Sequence, residues 1–129
     1  MELTHNTTIQ DAMDFTKHYL ICALWSSVDD NDDPFDSNYS LDDISSQTQS
    51  QALRDCTQFL MGNPNSLNDT PESYTIEQAG HDFWLTRNGH GAGFWDRGLE
   101  DAGESLTQAC EDYNGLDVVL GDDGKIYFE

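Results

Sequence analysis

The chain has 129 residues, enough for one ordinary domain around a single hydrophobic core. Only 36% of the residues are hydrophobic, yet 11% are aromatic, which is too rich for a disordered chain and argues for a modest core inside a large polar shell. Twenty-five carboxylates against five lysines and arginines give a formal net charge of −20, which argues against direct binding of nucleic acid or of an anionic membrane and favours a basic protein partner, a metal ion or a saline solvent.

Met1-Glu2-Leu3-Thr4-His5 lacks the basic start of a secretory leader, and no segment is long and apolar enough to span a membrane. Cys22, Cys56 and Cys110 are odd in number and far apart, with no CxxC pair. They read as small buried hydrophobes in a reducing compartment, so the expected location is the cytoplasm, that of a host cell if the chain is phage-encoded.

Thr7-Thr8-Ile9-Gln10 fits a capping box and opens a first helix over about residues 8 to 27, with Ile9, Ala12, Met13, Tyr19, Leu20, Ala23 and Leu24 as its inner stripe. The nearly continuous apolar run Tyr19 to Trp25 should be its most central part. Residues 28 to 40, VDDNDDPFDSNYS, form a loop by composition. Ser40-Leu41-Asp42-Asp43 looks like the start of a second helix, continued by Ile44, Ala52, Leu53, Cys56, Phe59 and Leu60 and stopped by Gly62-Asn63-Pro64. A second polar loop, NPNSLNDTPES, follows. Thr75-Ile76-Glu77-Gln78 is another capping box, opening a helix to about Arg87. A fourth helix is expected from about Leu99 to Tyr113, with Leu99, Ala102, Leu106, Ala109, Cys110 and Tyr113 facing inward. The end, LDVVLGDDGKIYFE, reads as a hairpin turning at Gly121-Asp122-Asp123-Gly124. The expected architecture is a single acidic α+β domain over 1–129, with about four helices and a small C-terminal β-hairpin that packs on them.

Three groups of residues invite a functional reading. In the Asp-rich loop, Asp29, Asn31, Asp33 and Ser37 take positions one, three, five and nine of a calcium loop. Such a loop needs Gly at position six and Glu at twelve, and here those are Pro34 and Ser40, so a solvated acidic loop is the simpler reading. In HDFWLTRNGHGAGFWDRG, His81, Asp82, His90 and Asp96 could serve a hydrolytic or metal-dependent enzyme. However, the block lacks HExxH, G-x-S-x-G and G-x-G-x-x-G. The same block reads better as a structural one, with Phe83, Trp84, Phe94 and Trp95 as core mass. In that reading the glycines permit sharp turns, and Arg87 and Arg97 bridge internal carboxylates such as Asp82 or Asp96 with His90 among them. No cofactor or metal is implied.

The third group is the acidic surface. Glu100, Asp101, Glu104, Glu111 and Asp112 line the fourth helix with no Lys or Arg on it, and Asp29, Asp30, Asp32, Asp33 and Asp36 crowd the first loop. Like charges at helical spacing cost a few tenths of a kcal/mol per pair, about the same size as the gain from an opposite pair, so their retention asks for a reason. Carboxylates on a rigid scaffold can reproduce the charge of a duplex, about one per 1.7 Å, and attract the basic groove of a DNA- or RNA-binding protein. The competing reading is a salt-adapted acidic domain or assembly subunit without mimicry.

The block GHDFWLTRNGHGAGFWDRG, with CALWSS upstream and GDDGKIY downstream, resembles a family of small acidic proteins from bacteriophages and other mobile elements, over most of the chain. The family brings no established activity, but the resemblance implies a setting. There, an acidic surrogate would inhibit a host nucleic-acid-binding enzyme, by analogy of role with antirestriction proteins, anti-CRISPR proteins and uracil-glycosylase inhibitors. The expected function is therefore a non-enzymatic nucleic-acid mimic acting on a host protein with a basic groove, binding neither nucleic acid nor membrane itself, as a monomer or a dimer.

Overall fold

A computed structural model describes residues 9–129, so the Thr7 cap lies outside the described residues. Five helices, α1 (Ile9–Ser26), α2 (Ser46–Gly62), α3 (Pro64–Asn68), α4 (Ile76–Arg87) and α5 (Asp101–Ala109), precede a two-stranded antiparallel sheet of β1 (Val118–Leu120) and β2 (Ile126–Phe128). This is the mixed α+β arrangement with a C-terminal hairpin that the residue pattern predicts. Val118 pairs with Phe128, Val119 with Tyr127 and Leu120 with Ile126. The expected Gly121–Gly124 segment makes the turn, Gly124 sitting at φ +79° where a side chain would be strained. The hairpin docks through one parallel bridge, Ile44 to Ile126, with the Ser45 amide donating to the Ile126 carbonyl at 2.9 Å.

The caps explain where two helices begin. Thr75 accepts from the Gln78 amide at 3.0 Å and opens α4, as expected. The second helix starts later than its first Ser suggests. Ser40 with Asp43 does form a capping box, the Ser40 amide donating to Asp43 at 2.8 Å, but it closes only a 3-10 turn over Leu41–Asp43. Ile44 then returns to extended backbone to pair with Ile126, and Ser45 caps the real helix by accepting from the Thr48 amide at 3.1 Å. The expected loop after Gly62 contains α3, which opens with Pro64 in the first turn, where its missing N–H costs nothing. The fourth expected helix is shorter than its apolar stripe: α5 ends at Ala109, and Cys110–Asp112 tightens into a 3-10 turn.

Phe15, Tyr19, Phe59, Phe83, Trp84 and Phe94 form the centre of the core, all essentially inaccessible. Phe59 stacks on Phe83 at 4.2 Å between ring centroids, and Tyr19 meets Trp84 edge-on at 5.3 Å. Each such ring contributes on the order of 2 to 3 kcal/mol through burial. The most intimate helix pair is α1 against α4. It closes at Gly80, where a Cβ would stand 2.1 Å from the Phe15 carbonyl oxygen, so only glycine lets the two backbones approach. Several apolar residues assigned inward by periodicity face out: Ile9 is 76% exposed, Met13 55% and Leu53 44%. Trp25, at the end of the run expected to be most central, is also exposed. Periodicity identifies an apolar face, but whether a neighbour covers it depends on the packing of other elements.

Candidate partner-binding surface

The block 81–98 is a structural knot with two cationic nodes. Asp82 is fully buried on α4. Its carboxylate accepts from Arg97 Nε at 3.1 Å and Nη2 at 2.9 Å, from the Tyr74 hydroxyl at 2.6 Å and from Gln78 Nε2 at 3.2 Å. Burial opposes ionisation of Asp82, but the neighbouring His81, Arg97 and Tyr74 outweigh it and hold its carboxyl below the usual carboxylate range. Arg87 is the second node. It donates to the Tyr19 hydroxyl at 3.0 Å, to Asp55 at 2.9 Å and to the Asn114 carbonyl at 2.9 and 2.6 Å, with its guanidinium 5.2 Å from the Tyr113 ring. Arg97 thus meets the expectation of an internal bridge to Asp82, with Asp96 at a looser 3.8 Å, whereas the partner of Arg87 is Asp55.

The backbone of the block explains its glycines. Gly89 sits at φ +69° just past α4, and the Gly89 and His90 amides return to the Thr86 and Leu85 carbonyls, a left-handed helix stop that glycine favours. Gly93 passes so close to Thr86 that a Cβ would lie 2.2 Å from its hydroxyl. That hydroxyl accepts from the Phe94 amide, and Asp96 accepts from the Gly93 amide. Phe83, Trp84 and Phe94 are buried as expected, but Trp95 is 56% exposed and is not core mass. The 3-10 turn Phe94–Asp96 can point only part of its circumference inward, and Phe94 takes that place.

The four residues of the enzymatic reading do not converge. His81 Nδ1 lies 3.7 Å from Asp82, beyond hydrogen-bond reach, and the His81 ring packs beside Trp25. Asp82 is consumed by the knot, Asp96 caps a turn, and His90 is exposed. Among the described residues, no three His, Cys, Asp or Glu side chains are gathered as a metal-holding group. All three cysteines are buried and unpaired, and burial pushes the Cys22 and Cys110 thiols up to about 12.

In the Asp-rich loop, Asp29 is half-buried, and one of its carboxylate oxygens accepts from the Asn31 and Asp33 amides at 2.8 and 3.1 Å. It shapes the turn, which a Val28–Pro34 bridge closes, while Asp30, Asp32, Asp33 and Asp36 are exposed. On α5 and the turn after it, Ala102, Gly103, Leu106 and Cys110 face the core, and Glu100, Asp101, Glu104, Glu111 and Asp112 face solvent. Asp101 and Glu104 lie one turn apart on α5, Glu100 immediately precedes the helix, and Glu111 and Asp112 fall in the 3-10 turn after it, so the five acids form a row with one group at each end of α5. The ion pairs of Arg87, Arg97 and His81 go to Asp55, Asp82 and Asp96, and the acids of both groups face outward without an ion pair.

Two further features distinguish this surface. Among the described residues, the two non-glycine residues at positive φ are Asp32 (φ +63°) and Glu100 (φ +57°), both members of it. Asp tolerates the left-handed region, but Glu100, at ψ −128°, holds a backbone that glycine favours. In addition, Asp112 lines a cleft of about 560 Å³ that also takes in Asp55 with its partner Arg87, and Tyr113, Asn114, Tyr127 and Glu129. Asp55 and this cleft escape a reading of the sequence. Their one signal is that Arg54 and Asp55 are the only charged residues of α2.

No described helix is long and apolar enough to cross a membrane. Comparison of the chain with protein-family models, with curated proteins and with solved structures gives no match.

Proposed function

We propose that this protein is a non-enzymatic inhibitor whose α5 and first-loop carboxylates stand in for nucleic-acid phosphates, and that it acts in the cytoplasm on a host DNA- or RNA-binding protein with a basic groove. The observation that carries this reading is the row of outward carboxylates running from Glu100, just before α5, to Asp112, in the turn after it, none of which makes an ion pair. Glu100 supports it further: a backbone site that favours glycine holds a carboxylate within this row. Arg87 and Arg97 pair with Asp55 and Asp82 and make no ion pair with the row.

The test compares the native chain with a variant carrying Glu100→Gln, Asp101→Asn, Glu104→Gln, Glu111→Gln and Asp112→Asn. The native protein, immobilised at low salt in host lysate, should retain a stoichiometric nucleic-acid-binding protein that duplex DNA or moderate salt releases, and the variant should not. Recovery of only abundant basic proteins, or equal recovery on the variant, would sink the reading.

A further inference from the structure

The cleft beside Asp112 has a floor of two buried side chains, and each keeps one donor unspent. A guanidinium carries five N–H groups. Arg87 uses four of them: Nε and one N–H of Nη2 on the Asn114 carbonyl, and both N–H groups of Nη1 on the Tyr19 hydroxyl and Asp55. The second N–H of Nη2 has no acceptor among the described residues. Tyr19 accepts from Arg87, and its own O–H has no acceptor among them either. Both residues line the cleft, Tyr19 fully buried and the Arg87 side chain only 4% exposed. A buried donor without a partner is costly, so the floor calls for oxygen acceptors on whatever fills the cleft.

The mouth of the cleft sorts occupants by charge. Arg87 and Asp55 offset each other at the floor, whereas the exposed Asp112 and Glu129 make no ion pair, and the exposed Gln47 and Gln58 are uncharged. An anion would suit the two donors, but the mouth and a net charge of −20 repel it. A simple ammonium or guanidinium is attracted but brings no acceptor to the floor. A hydroxylated ring meets both demands. Each hydroxyl accepts as well as donates, so inner oxygens serve Tyr19 and Arg87 while outer O–H groups reach carboxylates and amides. At about 560 Å³ the cleft has the size of an ordinary small-molecule site. We infer that it is a binding site for a small saccharide, with amino sugars preferred to neutral ones and acidic sugars rejected. This inference does not depend on phosphate mimicry.

Titration of the isotope-labelled full chain with glucosamine, glucose and glucuronate, rings that differ from glucose in one group, tests it by amide chemical shifts. Millimolar glucosamine and glucose should move the Thr48, Asn114 and Phe128 amides saturably, and glucuronate should not. At low salt glucosamine should bind about fivefold more tightly than glucose. Asp112→Asn with Glu129→Gln, both exposed positions, should remove that difference while glucose still binds. Tyr19→Phe should weaken both sugars about tenfold. Because it also takes an acceptor from Arg87, its melting temperature is measured alongside, and the exposed pair of substitutions gives a readout that does not depend on the core. No saturable shift with glucosamine or glucose would mean that the cleft holds water only. That result, tightest binding of glucuronate, or a preference for glucosamine that survives the paired substitution would each overturn the inference.

Discussion

The knot at residues 81–98 and the row on α5 use the same carboxylate chemistry to opposite ends. In the knot, Asp82 is wholly buried and held by Arg97, Tyr74 and Gln78, with every contact directed inward. On α5 and immediately beside its two ends, five carboxylates stand in solvent and make no ion pair. A buried charge stripped of its partner is costly, whereas an exposed like-charge pair costs only tenths of a kcal/mol. Arg87 and Arg97 therefore hold the carboxylates of Asp55 and Asp82, while the acids at the two ends of α5 make no ion pair.

The largest effect that would break this contrast comes from Asp82→Ala. It leaves Arg97 and the Tyr74 hydroxyl without their acceptor, and urea unfolding should show a loss of about 3 to 5 kcal/mol. A loss below about 1 kcal/mol would make the knot no more important than an exposed pair. A pH series sharpens the point. Because the Asp82 carboxyl is held lower folded than unfolded, its contribution is complete above its ordinary range near 4 and disappears as pH falls through the folded value. Relative to Asp82→Asn, the native protein should therefore lose stability more steeply below about pH 4, and parallel curves would remove Asp82 as the cause.

Smaller effects belong to α5. Glu100→Gly should raise stability by about 1 kcal/mol by relieving the positive-φ backbone, and it should also weaken partner capture. Destabilisation would mean that the Glu100 side chain supports the fold. Glu104→Gln should stabilise by only a few tenths of a kcal/mol, through loss of repulsion from Glu100 and Asp101, and the gain should vanish at high salt.

What could be read from the sequence was local. The Thr75 cap, the Gly121–Gly124 turn and the burial of Phe83, Trp84 and Phe94 all declare themselves within a few residues. Ser40 misled because a good capping box can close a single turn as well as a helix, and the choice was made by Ile126, more than eighty residues away. Pro64 was a readable helix start, hidden in a stretch whose composition resembles a loop. Trp95 shows the limit of counting rings, since its place was decided by which side of a 3-10 turn Phe94 occupies. The pairing of Arg87 with Asp55 spans 32 positions and leaves no periodic trace, although a solitary acid on an otherwise neutral helix hints at a special role. The exposed acids of α5 were legible because the apolar stripe that faces the core fixes the opposite side of the helix.

Arg87 also imposes a schedule on the chain. Its partners come from residues 19, 55 and 114, so the set is complete only when three distant parts of the chain have come together. Without Asn114, burying the guanidinium would strand two of its donors. Stable folding therefore needs all three partners, and a chain truncated between Arg87 and Asn114 should stay open to proteolysis.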